Sequence, residues 1–388
     1  MSIDIVSIDT VGIDTGDWLM KFLKMALFTA VAGCLSASAF AQNLSEWVKE
    51  MKISGDIGIR TEFITDEKNI STDAHYDRLR ERGRFRLGVE TTPVEKVKVG
   101  FGMETSGTNP TSAWVNFNNF ENASLVLSHA YIQYSPSDNL TISGGKLRSD
   151  IPLWKPVQLV WKNDVNPVGA AANIRANVTD RMSFFTNASI FPVTADRRMY
   201  NNLPASDVPM HTIAIAQPGL EYKINDNIRL KGAFAVQQFS MSDRPASSWI
   251  ISNYQSFTLL NPAWEVNFAN LVSEYGVTVN GEYSANIHES AGSDTKAYMI
   301  QAGFGSAGIS ASKDWQIKAA YRRLEDFAIP RGFGQTSAYD ADPGKGWELF
   351  FGYGLVKGLA FNATFYIMTD IEGNRPQNVS QLDVIYKF

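Results

Sequence analysis

Apolar and polar residues alternate at a period of two along nearly the whole chain from residue 51 to 388. Ile53, Ile57, Ile59 and Phe63 alternate with Lys52, Ser54, Asp56, Arg60 and Glu62, and Val97, Val99, Phe101 and Met103 with Lys98, Gly100, Gly102 and Glu104. The rhythm returns at Tyr275–Tyr283, Trp315–Arg322, Trp347–Tyr353 and Leu359–Ile367. Each such run is a strand with one apolar and one polar face. No stretch here approaches the roughly 20 apolar residues of a membrane-spanning helix.

The connections alternate as well. Short ones carry turn residues: TTPVEK (91–96), SPSDN (135–139), VTDR (178–181), KINDN (223–227) and LVKG (355–358). Long polar ones lie between them, over 64–77, 106–123, 149–168, 192–210, 240–260, 326–345 and 370–378. Short turns at one end and long loops at the other are the asymmetry of a transmembrane barrel. In hydrocarbon no water satisfies backbone N–H and C=O groups, so a strand protein there must close on itself. Fifteen strands stand out; an antiparallel barrel with both chain ends on one side needs an even number. AWEVNFAN (263–270) supplies the sixteenth. The expected fold is an all-β transmembrane antiparallel barrel of about 16 strands, with short periplasmic turns and long external loops. Pro218 predicts a bulge or break within its strand.

The N-terminus carries an export signal. From Met20, Lys21 and Lys24 precede the apolar run Met25–Val31, and Ala39-Phe40-Ala41 is an A-x-A cleavage site. Residues 1–19 hold four aspartates, the wrong charge for a leader, so the expected start is Met20. The expected organisation is an extension and signal peptide over 1–41, a periplasmic lead-in over 42–50, and the barrel over 51–388. Cys34, the single cysteine, falls within the leader. VAGC around it reads either as a lipid-attachment site or as a chance match upstream of the cleavage. Cleavage after Ala41 leaves 33 basic against 36 acidic residues and no thiol. A net negative charge argues against a nucleic-acid binder on electrostatic grounds.

LDVIYKF places Leu382, Val384, Tyr386 and Phe388 on one face and ends on an aromatic ring. It is similar to the terminal signature that outer-membrane barrels present to the barrel-assembly machinery. With RGRFRLGVE, HAYIQYSPSDNLTISGGKL, VNPVGAAANI, KDWQIKAAYRRLEDF and DVIYKF, the chain resembles the Gram-negative outer-membrane general porin family. The resemblance implies passive diffusion of small hydrophilic solutes across the outer membrane. It implies no catalytic residue and no cofactor. Outer-membrane lipids, the assembly machinery and, by family analogy, two further copies in a homotrimer are the implied partners.

RLRERGRFRLGVE, residues 78–90, sets Arg78, Arg80, Arg82, Arg84 and Arg86 on one side of one strand. Arginine facing lipid near the midplane costs about 2–4 kcal/mol, and a watered lumen avoids most of that. Arg84 and Arg86 are therefore expected to point into the lumen, with Arg78, Arg80 and Arg82 above the lipid band that starts near Phe85. Inward charges on the first three strands are eight basic, including Arg60 and Lys98, against four acidic, Asp56, Glu62, Glu90 and Glu104. Two readings follow. The row is a positive wall that sets ion preference, or its guanidiniums pair with Asp56 and Glu62 on the adjoining strand and stiffen the wall. Lys318 and Arg322 are expected inside on a later strand, as are the acids Glu274, Glu282 and Glu348.

The segment 149–168, SDIPLWKPVQLVWKNDVNPV, corresponds by position to the external loop that narrows the bore of general porins. On that resemblance Asp150, Lys155, Lys162 and Asp164 are candidate constriction residues, with Asp150 and Asp164 facing the arginines and Trp154 and Trp161 on the inner wall. The alternative is a solvated cap. Histidines 75, 129, 211 and 288 show no ligand spacing, and no nucleophile elbow, HExxH pair or P-loop occurs, so neither metal nor catalytic residue is assigned. Trp315, Trp347, Tyr386 and Phe388 fit aromatic girdles at the membrane interfaces. The expected function is a diffusion porin; an anion- or phosphate-selective channel and a plugged structural or adhesin barrel are the alternatives.

Overall fold

The computed structural model describes residues 51–68, 75–106, 112–117, 122–194, 210–240, 256–288, 291–330, 333–334 and 343–388. The expected leader and lead-in, with Cys34, lie outside them. The strands are β1 (Lys52–Lys68), β2 (His75–Val94), β3 (Val97–Ser106), the two-residue β4 (Val115–Asn116), β5 (Ser124–Ser137) and β6 (Leu140–Lys146). Then come β7 (Val168–Asn177), β8 (Met182–Thr194), β9 (Met210–Lys223), β10 (Ile228–Ser240), β11 (Phe257–Val272) and β12 (Tyr275–Asn286). The last are β13 (Lys296–Gly305), β14 (Trp315–Leu324), β15 (Gly344–Val356), β16 (Leu359–Thr369) and β17 (Gln377–Lys387).

Each long strand pairs antiparallel with its neighbours, and β17 closes on β1 from Asp56↔Lys387 to Ile64↔Val379. Gly55 and Phe388 exchange backbone hydrogen bonds of 3.0 and 3.1 Å at the seam. The result is a closed barrel of sixteen long strands, with β4 filling the wall beside the outer part of β2. Pairing of β17 with β1 removes the free edges of an open sheet, which is what hydrocarbon demands. The sixteenth strand falls in the expected place, on β11.

Three of the four two-residue turns carry a left-handed residue: Lys96 (φ 66°), Ser273 (φ 57°) and Gly358 (φ 79°). Three connections escaped the sequence reading: the Ser273–Glu274 turn and the nine-residue connections 287–295 and 306–314. Glu274 is a correction. It sits in the Ser273–Glu274 turn, so it lies beyond the wall rather than facing inward. Pro218 neither breaks nor bulges its strand: β9 keeps register through Thr186↔Pro218, and the β10 ladder simply skips the proline, which has no N–H to give. β2 begins at His75, so Arg78, Arg80 and Arg82 belong to the strand itself.

Alternation sorts the two faces. On β1, Ile53, Ile57 and Ile59 are about half exposed on the exterior, whereas Asp56 and Glu62 are buried within. Tyr275, Phe304 and Trp315 cluster near the short turns, and Tyr298, Tyr321 and Trp347 nearer the long loops. The interior departs from a uniformly polar bore. Phe191, Ile213, Ile215, Phe239, Leu259 and Met299 point inward from β8–β13 and are buried. Two segments enter the barrel to cover them.

Candidate functional site

One wall of the interior is charged. In β1 and β2, Glu62 lies opposite Arg80, Arg60 opposite Arg82, and Asp56 opposite Arg86. Five arginines at alternate positions repel one another unless carboxylates are interleaved. Here they are. Glu62 takes Arg80 and, at 3.5 Å, Arg82; Asp56 takes Arg84 and Arg86, each at 2.7 Å. Arg60 makes a two-pronged contact of 2.7 and 2.8 Å with Asp383 of β17. A buried carboxylate needs such partners, and the guanidinium fork supplies them in a fixed geometry. Of the two readings of the row, the geometry is that of the interleaved ion pairs.

Trp114, just before β4, lies against this wall. The Arg60 and Arg84 guanidiniums stand 4.1 and 4.6 Å from its ring centre, and Arg82 donates to its carbonyl at 2.8 Å. Gly58 makes room for the ring: a Cβ there would come within 2.8 Å of Trp114 Cη2.

The first inserted segment is the connection 147–167 between β6 and β7. Its sequence is apolar where a solvated loop would be polar, and Leu153, Leu159, Val160 and Trp161 are buried to about 1% exposure or less. They pack on the inward apolar residues of β8–β13. Polar groups of the wall then fix its backbone. Gln217 of β9 bonds both the N–H and the carbonyl of Trp154, at 2.7 Å each. Asn173 of β7 donates to the Ile151 carbonyl at 2.9 Å, and Asn280 of β12 to the Pro156 carbonyl at 3.5 Å. The second insert, described over 325–330 and at Phe333 and Gly334, meets the first: Phe333 lies 5.0 Å from Trp161 and 5.5 Å from Phe239, and its carbonyl accepts from Lys162 N–H at 2.7 Å. Gly334 lets the backbones touch, since a Cβ there would lie 2.6 Å from the Leu159 carbonyl oxygen.

The charged residues of the loop divide. Asp164 faces the arginine row, 3.8 Å from Arg86. Asp150 does not; it pairs with Arg148 at 2.8 Å, and Arg148 also holds Glu90 of β2 at 2.9 Å. Burial would raise the Asp150 carboxyl, but the Arg148 contact holds it below the ordinary range. Burial lowers both lysines. Lys162 is almost wholly enclosed, and Lys155 is brought down to about 8 against the opposing charges of Glu282, Asp150 and Asp164. Lys155 Nζ donates to the Lys162 carbonyl at 3.2 Å. Trp154 stands edge-on to Phe185, with Lys231 Nζ 4.6 Å from its ring, and Trp161 is buried.

Three cavities, of about 270, 490 and 590 Å³, surround the loop and share exposed Asn163 in their linings. The smallest brings Lys155 together with Lys318 and Arg322 of β14 and Glu348 of β15. The largest brings Arg86, Asp150 and Asp164 together. Arg60, Arg80, Arg82 and Arg84 are engaged within the wall, and Lys98 is exposed near the Glu95–Lys96 turn, outside all three cavities. Sequence reasoning missed Asn163, Gln217, Trp114 and the insert that carries residues 325–330, Phe333 and Gly334. For the last, Phe327, Ile329 and Phe333 in a long connection were the available signal.

Comparison with known proteins agrees with this architecture. No curated protein sequence matches the chain. The structure is similar to OprB of Pseudomonas putida at high pH, with a TM-score of 0.57 at 12% identity over 88% of this chain and 95% of that one. It is also similar to DcaP, described as an outer membrane channel of Acinetobacter baumannii, with a TM-score of 0.52 at 14% identity over 87% of this chain and 97% of that one. A family model described as "Putative porin" matches residues 64–261 and 263–388. Sixteen closed strands, a loop drawn into the bore and a match over most of the barrel lead to one conclusion: the chain belongs to this porin family.

Proposed function

We propose that the protein is an outer-membrane porin that lets small hydrophilic solutes and ions diffuse down their gradients through a charged, water-filled bore. The observation that carries this reading is the 147–167 insert. It is bonded to β7, β9 and β12, it reaches β2 through Asp164, and polar-lined cavities surround Asn163. The apolar half of the interior is filled, so the aqueous route runs along the β17–β1–β2–β3 wall and past Lys155, Lys318 and Arg322. Arg86, Asp164 and Asn163 stand at its narrowest part, with Asp150 and Lys162 supporting the loop. Arg60, Arg78, Arg80, Arg82 and Arg84 form the wall above, and Lys98 lies toward the periplasmic mouth. The chemistry asked of the protein is exclusion and electrostatic bias, which needs neither a cofactor nor a catalytic group.

An anion-preferring channel is the second reading. Lys155, Lys318 and Arg322 favour it, because they share one cavity with Glu348 as its only acid. Phe388 ends the strand that the assembly machinery would engage, and the assembly in the membrane is a homotrimer. The test is planar-bilayer recording of protein purified from outer membranes, joined to liposome swelling in sugars of graded size. Stepwise currents and a size cut-off are expected. An absence of steps would overturn the reading in favour of a plugged barrel, and a strong chloride preference would favour the second.

A further inference from the structure

The largest cavity contains an unsolved charge problem. Five acidic side chains line it against three basic ones. Three of the acids are satisfied: Asp56 by Arg84 and Arg86, Glu90 by Tyr131 and Arg148, and Asp150 by Arg148. The other two are Glu104 on β3 and Asp164 on the inserted loop. Asp164 has one ion pair among the described residues, with Arg86 at 3.8 Å, and otherwise the longer-range attraction of Lys155, Lys162 and Arg84. Glu104 is 8% exposed, and its carboxylate makes no hydrogen bond or ion pair among the described residues.

The sequence offers Glu104 a partner and the fold withdraws it. Arg86 is its direct neighbour across the β2–β3 ladder. That guanidinium is turned the other way, its Nε 2.8 Å and its Nη2 2.7 Å from Asp56. The other nearby cations are Lys146, whose ammonium donates to the Leu127 carbonyl at 2.6 Å, and Arg84, which is bonded to Asp56; neither makes an ion pair with Glu104. An enclosed carboxylate without a partner is unfavourable. It faces a cavity it shares with Asp164, and the amide side chains of Asn163 and Asn166 line the same space.

We infer that Glu104 and Asp164 form a subsite for a monovalent cation, inorganic or the ammonium head of a small amine, on the solute path. The inference rests on the channel reading. A cation there completes the row Asp56–Arg86–Glu104 as alternating charges, and the amides orient whatever the ammonium carries. The subsite draws cations through a bore whose arginines Arg60, Arg80, Arg82, Arg84 and Arg86 are each already engaged by a carboxylate.

The experiment uses the full chain in planar bilayers. Reversal potentials are read in a potassium chloride gradient and again with ethylammonium chloride, for wild type, Glu104→Gln, Asp164→Asn and, as control, the outward-facing Glu81→Gln. Each bore variant is expected to lower the cation-to-chloride permeability ratio by about fivefold, the effect of one unit charge a few ångströms away in water. The control leaves it unchanged. A loss confined to ethylammonium assigns the subsite to amines, and a loss confined to potassium assigns it to inorganic ions. Wild-type channels that conduct, with ratios unmoved in both bore variants, overturn the inference and leave the channel reading intact; wild type without conductance overturns the channel reading itself. Should Glu104→Gln fail to fold, Glu104→Asp and Asp164→Asn carry the same test.

Discussion

Arg84 donates from Nε to Asp56 Oδ1 at 2.7 Å while the same carboxylate holds Arg86 through its other oxygen. One acid thus pairs with two rungs of the arginine row and halves their charge. Asp56→Asn keeps the shape and removes the charge, so the wall gains a full positive unit. Chloride permeability relative to potassium is expected to rise by about fivefold, the consequence of about 1 kcal/mol for a charge about 4 Å away in water. Zero-current potentials in a salt gradient measure this. An unchanged potential would mean that the row lies off the current path.

Trp114 tests the packing of the same wall. Two guanidiniums face its ring, and Gly58 leaves the space it occupies. Gly58→Val places atoms where the ring lies and forces it off Arg60 and Arg84. Overpacking of this kind costs about 1–3 kcal/mol. The variant barrel is expected to lose its heat-resistant electrophoretic mobility at a lower temperature than wild type, with Gly58→Ala between the two.

The barrel was legible because its determinant is local: a period of two puts Ile57 and Ile59 outside and Asp56 inside whatever the neighbouring strand does. The pairing of the arginines was half legible, since Asp56 and Glu62 stood on the adjoining strand but register alone does not say which way a long side chain turns. Arg86 shows this, choosing Asp56 over its equally adjacent Glu104. The filled half of the interior was hidden for a different reason. Residues such as Ile213, Phe239 and Leu259 occupy inward positions, and an inward hydrophobe reads as an exception until its cover is known. The cover comes from Leu159 and Trp161, and from Phe333 more than 170 positions further on, a contact that no local pattern encodes.

Lys155 gives the bore a pH response. Burial, opposed by Glu282, Asp150 and Asp164, brings its ammonium down to about 8. It is charged below that pH and neutral above it, so cation preference is expected to rise between pH 7 and pH 9, while ordinary lysines at about 10.4 stay charged. Lys155→Met should abolish the step and fix the preference at the high-pH level. The linkage to stability has a definite sign. The folded chain binds this proton less tightly than the unfolded one, so stability rises with pH from about 8 to about 10.4. A wild-type reversal potential that is flat across this window would place the Lys155 ammonium away from the permeating ions.

Phe333 decides whether the constriction is held by the wall alone or by a second insert as well. Its ring packs on Trp161 and Phe239, and its carbonyl takes the Lys162 N–H. Truncating a buried phenylalanine to alanine costs about 3–5 kcal/mol. The barrel ladder does not pass through Phe333, so the loss falls on the 147–167 loop. Phe333→Ala should leave the barrel folded, by its circular dichroism and heat-resistant mobility, yet produce larger, noisier single-channel currents with substates. Trypsin should then cut the loop at Arg148 or Lys162, which packing protects in wild type. Phe333→Leu, which keeps most of the apolar contact, should stay close to wild type. Quiet wild-type currents from Phe333→Ala would show that Gln217, Asn173 and Asn280 hold the loop without help, and that the second insert serves only to fill the apolar half of the bore.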